Sequence, residues 1–206
     1  MFELVLGTGN AHKVIELREM LPRTLRLLSL ADFERPLEVE EVGETFAENA
    51  RLKATEQAKH LRRWVLAEDS GLAVDALGGR PGVLSARYAG VHGDDEANNR
   101  RLLQELSAVP TEQRGAAFHC HMAVASPAGQ VLIEALGICR GTIAWQPSGA
   151  GGFGYDPLFT IAEYHLTFAE LGGSVKNVLS HRSRALRQLI PKLLPLVAAS
   201  SEQHVR

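Results

Sequence analysis

Phe2-Glu3-Leu4-Val5-Leu6-Gly7-Thr8-Gly9-Asn10-Ala11-His12-Lys13-Val14 opens the chain and decides its class. Phe2 to Leu6 is short and apolar, the pattern of a buried strand. Gly7-Thr8-Gly9-Asn10 breaks it. Val14, Leu17 and Leu21 then recur at helical spacing on one face, with Glu16 and Glu19 outside it. Strand, loop and helix in that order form the first unit of an α/β domain. Leu25 to Leu30 reads as a second strand, closed by a polar turn at Ala31-Asp32.

Outward from there, Glu38 to Val42 is acidic and reads as extended. Thr45-Phe46-Ala47-Glu48 has capping-box spacing and starts a helix to about Arg63. Trp64 to Ala67 reads as a buried strand that ends in Glu68-Asp69-Ser70-Gly71. Asp94-Asp95 caps a helix carrying Leu102, Leu103 and Leu106. Phe118, Cys120, Met122 and Val124 alternate within a strand from Ala116 to Ala125. A turn at Pro127-Ala128-Gly129 joins it to Val131-Leu132-Ile133 as a hairpin. Ile138 to Ile143 is a shorter strand, and a Gly-rich loop covers 149–154. A last helix starts near Ser180 and ends at Pro191; the tail from Ser200 is expected to fray. No repeat, low-complexity tract or linker divides the chain. The expectation is one α/β domain over residues 1–200, with the hairpin region as a candidate second lobe and 201–206 as the frayed tail.

The 206 residues suit one large domain, and 45% hydrophobic against 22% charged residues supports a real core. Lys and Arg number 22 and Asp and Glu 24, a net charge of −2. That balance argues against a general nucleic-acid coat, which needs a broad basic surface, but leaves room for a local anion site. Two cysteines, Cys120 and Cys139, make neither a disulfide framework nor a zinc cluster and read as buried thiols. No basic-then-apolar leader is visible, and no apolar run approaches the roughly 18 residues of a membrane span. The reading is cytoplasmic, without a membrane partner.

Four segments carry candidate chemistry. Thr8, Gly9, Asn10, Ala11, His12 and Lys13 join a strand to a helix, where free backbone N–H groups and the dipole favour an anion. Lys13 opposes the dipole there and needs another reason to be present; a solvated lysine beside an Asn10-capped turn is the plainer account. Glu68 and Asp69 close an apolar strand, a position where carboxylates hold Mg²⁺ or orient water. Turn capping by Asp69 and Ser70 is the alternative. Gly149 to Pro157 embeds Phe153 and Tyr155 in glycine, which suits a surface for stacking a base, or a loop pinned to the core by its aromatics. Lys176, His181 and Arg182 cluster near a helix start that Ser180 would cap. Asn49, Lys53 and Gln57 share one helical face, ordinarily the solvent face. Glu40 and Glu41 read as a solvated acidic run, and the alternating His119 and His121 as an unremarkable strand pair.

Taken together these segments resemble the inosine triphosphate pyrophosphatases, also called dITP/XTP or non-standard purine NTP pyrophosphatases. The resemblance runs in order through Thr8-Gly9-Asn10 with Lys13, Phe46 to Ala50 with Leu52-Lys53-Ala54, Glu68 to Leu72, Leu77 to Gly82 with Ser85 to Tyr88, Gly151 to Pro157, and Lys176-Asn177 with Ser180-His181-Arg182. It implies an α/β fold with an elongated mixed β-sheet flanked by helices, two lobes with a cleft between them, Mg²⁺ dependence and a homodimer. It also implies cleavage between the α- and β-phosphates of a nucleoside triphosphate such as ITP, dITP or XTP. By this resemblance Asp69 is the proton acceptor and a metal ligand, and Glu40 shares the metal, with Glu41 the alternative one position on. Thr8 to Lys13, Ser70, Phe153, Gly154, Tyr155, Asp156, Lys176, His181 and Arg182 bind substrate. Two other readings compete. A Maf-type pyrophosphatase for modified pyrimidines is disfavoured by the Gly-Gly-Phe-Gly-Tyr-Asp-Pro and Ser-His-Arg segments. A nucleotide-binding regulator without turnover is disfavoured by Asp69 and Glu40.

Overall fold

The computed structural model of the chain describes residues 2–202. Seven strands form one mixed sheet in the order β2-β1-β3-β4-β5-β6-β7. These are β1 (Glu3–Leu6), β2 (Arg26–Ser29), β3 (Val65–Val74), β4 (Gly115–Ala125), β5 (Val131–Ile143), β6 (Phe159–Ile161) and β7 (Leu166–Thr167). Among the described residues five α-helices accompany them: α1 (Ala11–Met20), α2 (Phe46–Leu61), α3 (Asp95–Glu105), α4 (Phe168–Leu179) and α5 (His181–Glu202). β1 runs parallel to β2 and β3, with Val5 opposite Leu28 and Val65. β6 is antiparallel to β5 and β7.

The chain forms two compact units. The first comprises Met1–Asp69, Cys120–Gly137 and Ser183–Arg206. Its core packs Leu4, Leu6, Leu17, Leu66, Met122, Leu186, Leu189 and Leu193, with Val5, Ala50, Ala54, Ala58 and Val65 in a neighbouring cluster. The second comprises Ser70–His119 and Ile138–Arg182. Leu72, Leu102, Phe118, Tyr155, Phe159 and Phe168 centre its core, and Phe118 and Phe159 meet at 4.6 Å between ring centroids. Each fully buried leucine or phenylalanine among them contributes about 1.5–3 kcal/mol through lost apolar surface.

Local chemistry sets the helix starts. Asn10 accepts from the Lys13 N–H at 3.2 Å and caps α1. Thr45 and Glu48 form the expected capping box on α2, and Arg62 ends that helix in the left-handed region at φ 51°. Thr167 and Glu170 repeat the box on α4. Cys120 and Cys139 are both buried.

Several expectations change. β3 does not end at Glu68-Asp69. It continues through Ser70 and Gly71 because Leu72 and Val74 belong to the second core. Gly71 lets the chain at 82–85 close on the strand: a Cβ there would lie 2.6 Å from the Gly82 carbonyl oxygen, and Ser85 Oγ accepts from the Leu72 N–H at 2.9 Å. The segments 131–133 and 138–143 are one thirteen-residue strand, since Ile133, Ala135, Cys139 and Ile143 keep one inward alternation across Gly137. Residues 38–42 are irregular. α5 does not stop at Pro191. Its buried stripe of Leu186, Leu189 and Leu193 continues past it, while Pro191 and Pro195 fall on the exposed side. That packing outweighs the roughly 3 kcal/mol a helical proline costs. The helix reaches Glu202, so the expected frayed tail is helical at 201–202, and its residues 203–206 lie outside the described residues.

Candidate active site

In the first unit the polar groups converge on β3. The Asp69 carboxylate is buried, with Oδ1 3.1 Å from Lys53 Nζ and Oδ2 accepting from Asn49 Nδ2 at 3.2 Å. Asn49 and Lys53 stand one turn apart on α2, so one helical face delivers both. Lys53 Nζ also lies 2.6 Å from Glu41 Oε1, and Asn49 Oδ1 accepts from the Gly43 N–H at 2.8 Å. These bonds fold residues 41–43 onto α2. Successive strand residues point to opposite faces, so Glu68 aims away from Asp69. Its Oε1 is 3.2 Å from Lys13 Nζ in the first turn of α1, and its Oε2 accepts from the Cys120 thiol at 3.2 Å. Thr8 Oγ1 accepts from the Asn10 N–H at 3.2 Å, and Gly9, Asn10, Ala11 and His12 are exposed around the α1 start.

Charge explains the arrangement. Burial raises the Asp69 carboxyl above the usual carboxylate range and Glu41 pushes the same way, against Lys53 and Lys13. Burial works against the Lys53 ammonium, but Asp69 and Glu41 outweigh it and hold that group above the ordinary lysine range. The pair is therefore lopsided: the lysine is firmly charged, while the carboxyl retains an unusual affinity for a proton. Lys13 thus meets Glu68, while Lys53 meets both Glu41 and Asp69.

In the second unit, Asp156 Oδ2 accepts from Lys176 Nζ at 2.5 Å and from the Phe153 N–H at 2.9 Å. Lys176 Nζ stands 4.3 Å from the Phe153 ring centre, and the Arg182 guanidinium carbon 5.9 Å from it. Arg182 is 1% exposed and donates to Ser70 Oγ at 3.2 Å. The His181 ring stacks on Phe118 at 4.8 Å and 15°. Gly152 has φ 76°, and a Cβ there would strike the Asp156 carboxylate, so only glycine fits.

The structure thus brings Lys13 and Asp69 into one polar network, and Ser70, Phe153, Asp156, Lys176 and Arg182 into another. Some expected roles shift. Glu41, not Glu40, meets the ammonium that holds Asp69; Glu40 is exposed one position away. Tyr155 does not offer a stacking face: its ring is buried in the core and its hydroxyl donates to the Ser85 carbonyl at 2.9 Å. Phe153 alone of the two aromatics is partly exposed. Lys176 sits in the last turn of α4, not at a helix start, so its charge agrees with the dipole. Asn49 and Lys53 face inward, against the solvent-face reading. The signal was present in the sequence: the stripe flanks Ala50, Ala54 and Ala58, a run of small residues suited to burial. Gln57, on the same stripe, bonds Leu37 through both its amide ends and braces the loop before α2. His121 pairs with Glu134 at 2.8 Å.

No three His, Cys, Asp or Glu side chains among the described residues group closely enough to enclose a metal ion. Glu41 and Asp69 present hard carboxylate oxygens on the two sides of Lys53. A donor set of that kind suits a divalent cation such as Mg²⁺, which takes one or two carboxylates and completes its shell with water and phosphate oxygens.

The Ham1 family model matches residues 4–192. The chain belongs to the Ham1 family. This Ham1 chain is 63% identical over 202 residues to a protein of Rhodopirellula baltica named dITP/XTP pyrophosphatase, covering 98% of this chain and 97% of that one. A Bacillus cereus protein of the same name is 49% identical over 197 residues, 94% of this chain and 95% of its own. Among solved structures, a HAM1 protein from Coxiella burnetii superposes with a TM-score of 0.85 at 38% identity, over 95% of this chain and 99% of that one. A nucleoside-triphosphatase / dITP/XTP pyrophosphatase from Mycobacterium abscessus gives 0.74 at 45% identity, over 90% and 97%. The α/β class and the mixed sheet are those of Ham1 structures. Among the described residues no helix is long and apolar enough to cross a membrane.

Proposed function

We propose that this Ham1 chain is a nucleoside triphosphate pyrophosphatase that converts deaminated purine nucleotides (ITP, dITP and XTP) to the monophosphate and pyrophosphate, clearing them from the nucleotide pool. The observation that carries the mechanism is the buried Asp69 carboxylate held between Asn49 and Lys53. Its oxygens are fixed from two sides, and burial makes it a better base than an exposed aspartate near neutral pH. Asp69 takes a proton from water as the water oxygen bonds to the α-phosphorus; the bond from that phosphorus to the bridging oxygen breaks and pyrophosphate leaves. Lys13 and Lys53 offer ammonium groups to the polyphosphate oxygens, and the N–H groups of the α1 start add donors. The Glu41 and Asp69 carboxylates would repel a polyphosphate, a repulsion that a divalent cation placed between them relieves. Glu41 and Asp69 would hold Mg²⁺ there, which when bound neutralises phosphate charge and polarises the reacting group.

Base choice belongs to Phe153, Ser70, Lys176, His181 and Arg182. Hypoxanthine and xanthine carry a 6-keto oxygen, an acceptor where adenine has a donating amino group. Arg182 supplies only donors. A donor-lined site rejects a donor-bearing analogue by as much as roughly 10⁴-fold. The protein is read as a homodimer working in the cytoplasm.

The test is a pyrophosphate-release panel of ITP, XTP, ATP, dTTP and UTP with Mg²⁺, repeated in excess EDTA. The proposal expects release from ITP and XTP, little from ATP, and none with EDTA. Preference for dTTP or UTP would favour a Maf-type activity instead, and binding of ITP without turnover would favour a regulator.

A further inference from the structure

Asp94-Asp95 looked like one capping pair, yet only Asp94 caps α3, accepting from the Ala97 N–H at 2.9 Å. Asp95 turns away. Its Oδ2 accepts from the Gly154 N–H at 2.6 Å. One turn later Asn99 Nδ2 donates to the Gly154 carbonyl at 2.9 Å. A single helical face therefore grips both polar groups of one glycine, an acceptor for its N–H and a donor for its C=O. Gly154 sits in the left-handed region at φ 62°, and the bonds select that conformation. Phe153 precedes it directly and carries the ring faced by Lys176 and Arg182.

The second observation is what Asn99 gives up. Its amide oxygen is buried and has no hydrogen-bond partner among the described residues. A buried acceptor left unsatisfied is costly. Turning the amide over would set its oxygen against the Gly154 carbonyl, so the bond to the loop fixes the orientation that strands it. The neighbouring Asn98 already ties α3 to Ala86 and Ala89. The bonds of Asp95 and Asn99 thus serve the loop.

We infer that Asp95 and Asn99 are positioning residues for base recognition: by clamping the Gly154 residue they set the ring of Phe153 against which the base is read. This rests on the functional reading above, and the experiment separates the two. Wild-type protein that fails to release pyrophosphate from ITP refutes that reading. The clamp itself is judged by amide hydrogen exchange: Asp95→Ala and Asn99→Ala should accelerate exchange across 153–155 while the α2 and β3 amides stay protected. Unchanged exchange there overturns the clamp whatever the substrate proves to be. For the link to base choice, kcat/KM is measured for ITP and ATP. A misplacement of about 1 Å costs up to about 100-fold, so ITP should fall about 10- to 100-fold in each alanine variant with ATP much less affected. Inorganic tripolyphosphate should bind as in wild type, because its contacts lie elsewhere. Asp95→Asn keeps an accepting oxygen and should recover most of the ITP/ATP ratio. Equal losses for both substrates, or loss of tripolyphosphate binding, would mean a merely structural role and overturn the inference.

Discussion

Lys53→Met removes a cation that joins Glu41 and Asp69, at 2.6 Å and 3.1 Å, and replaces it with an apolar chain of similar length. The side chains of all three residues are largely buried; Glu41, at 26%, is the most exposed. Breaking a buried pair by deleting one partner costs about 3–5 kcal/mol, and the partial exposure of Glu41 places this case at the low end, about 3 kcal/mol. For a chain of this size about 2–4 °C is lost per kcal/mol, so Tm should fall by about 6–12 °C near neutral pH. The pH dependence has a definite sign. Lys53 has a raised pKa, so its contribution is whole below the ordinary lysine value and fades only as pH rises through the folded one. Its own titration therefore leaves the acid and neutral range untouched, and any change there comes from the carboxylates. The Asp69 carboxyl already lies above its usual range. Without the ammonium it rises further, and its ionisation beside Glu41 costs stability at neutral pH. Acidification returns a proton and relieves that cost. Scanning calorimetry of wild type and variant at about pH 5 and about pH 8 should show the gap narrowing at the lower pH. A gap under about 2 °C at neutral pH, or one identical at both, would refute this account of the network.

Asp69→Asn should lower turnover of ITP by about 10²–10⁴-fold through lost base action. Because burial penalises its charged form, the same variant should melt no lower than wild type; calorimetry beside the pyrophosphate assay checks both. Arg182→Ala should narrow the ITP/ATP ratio of kcat/KM, with its Tm measured alongside because Arg182 is fully buried; an unchanged ratio would mean that Arg182 does not read the base.

Much of the fold was legible because it rests on local signals. The Thr45–Glu48 capping box, the alternation of Phe118 to Val124 and the glycine break after Leu6 each act within a few residues. What failed depends on distant partners. β3 passes through two acidic residues only because Lys53, Asn49 and Lys13 meet them and because Leu72 and Val74 find a second core. α5 passes two prolines because its buried stripe outweighs them. β6 and β7 are three and two residues long and carry no period to read, and Gly172, at φ 76°, breaks the helical pattern of α4. In the candidate site, Asp69, Lys13, Lys176 and Arg182 stood out as residue types in unusual places. Glu41 and Glu40 could not be told apart, since irregular backbone has no period to say which side chain turns inward.

The glycine-rich segment 149–156 has the composition of a lid, and its bonding is that of a fixed wall. The Gly151 N–H reaches the Ala169 carbonyl, the Phe153 N–H the Asp156 carboxylate, the Gly154 N–H Asp95, and the Tyr155 hydroxyl Ser85. Lids open on microsecond to millisecond timescales, and in many enzymes that opening limits the cycle. With three of these bonds anchoring it to residues outside the segment and one closing it on itself, the segment is built against such a step. On the proposed function, nucleotide entry and monophosphate departure at this wall proceed at the pace of diffusion and of the bonds the base itself makes. Any slow conformational gate in the cycle must be sought in other parts of the chain.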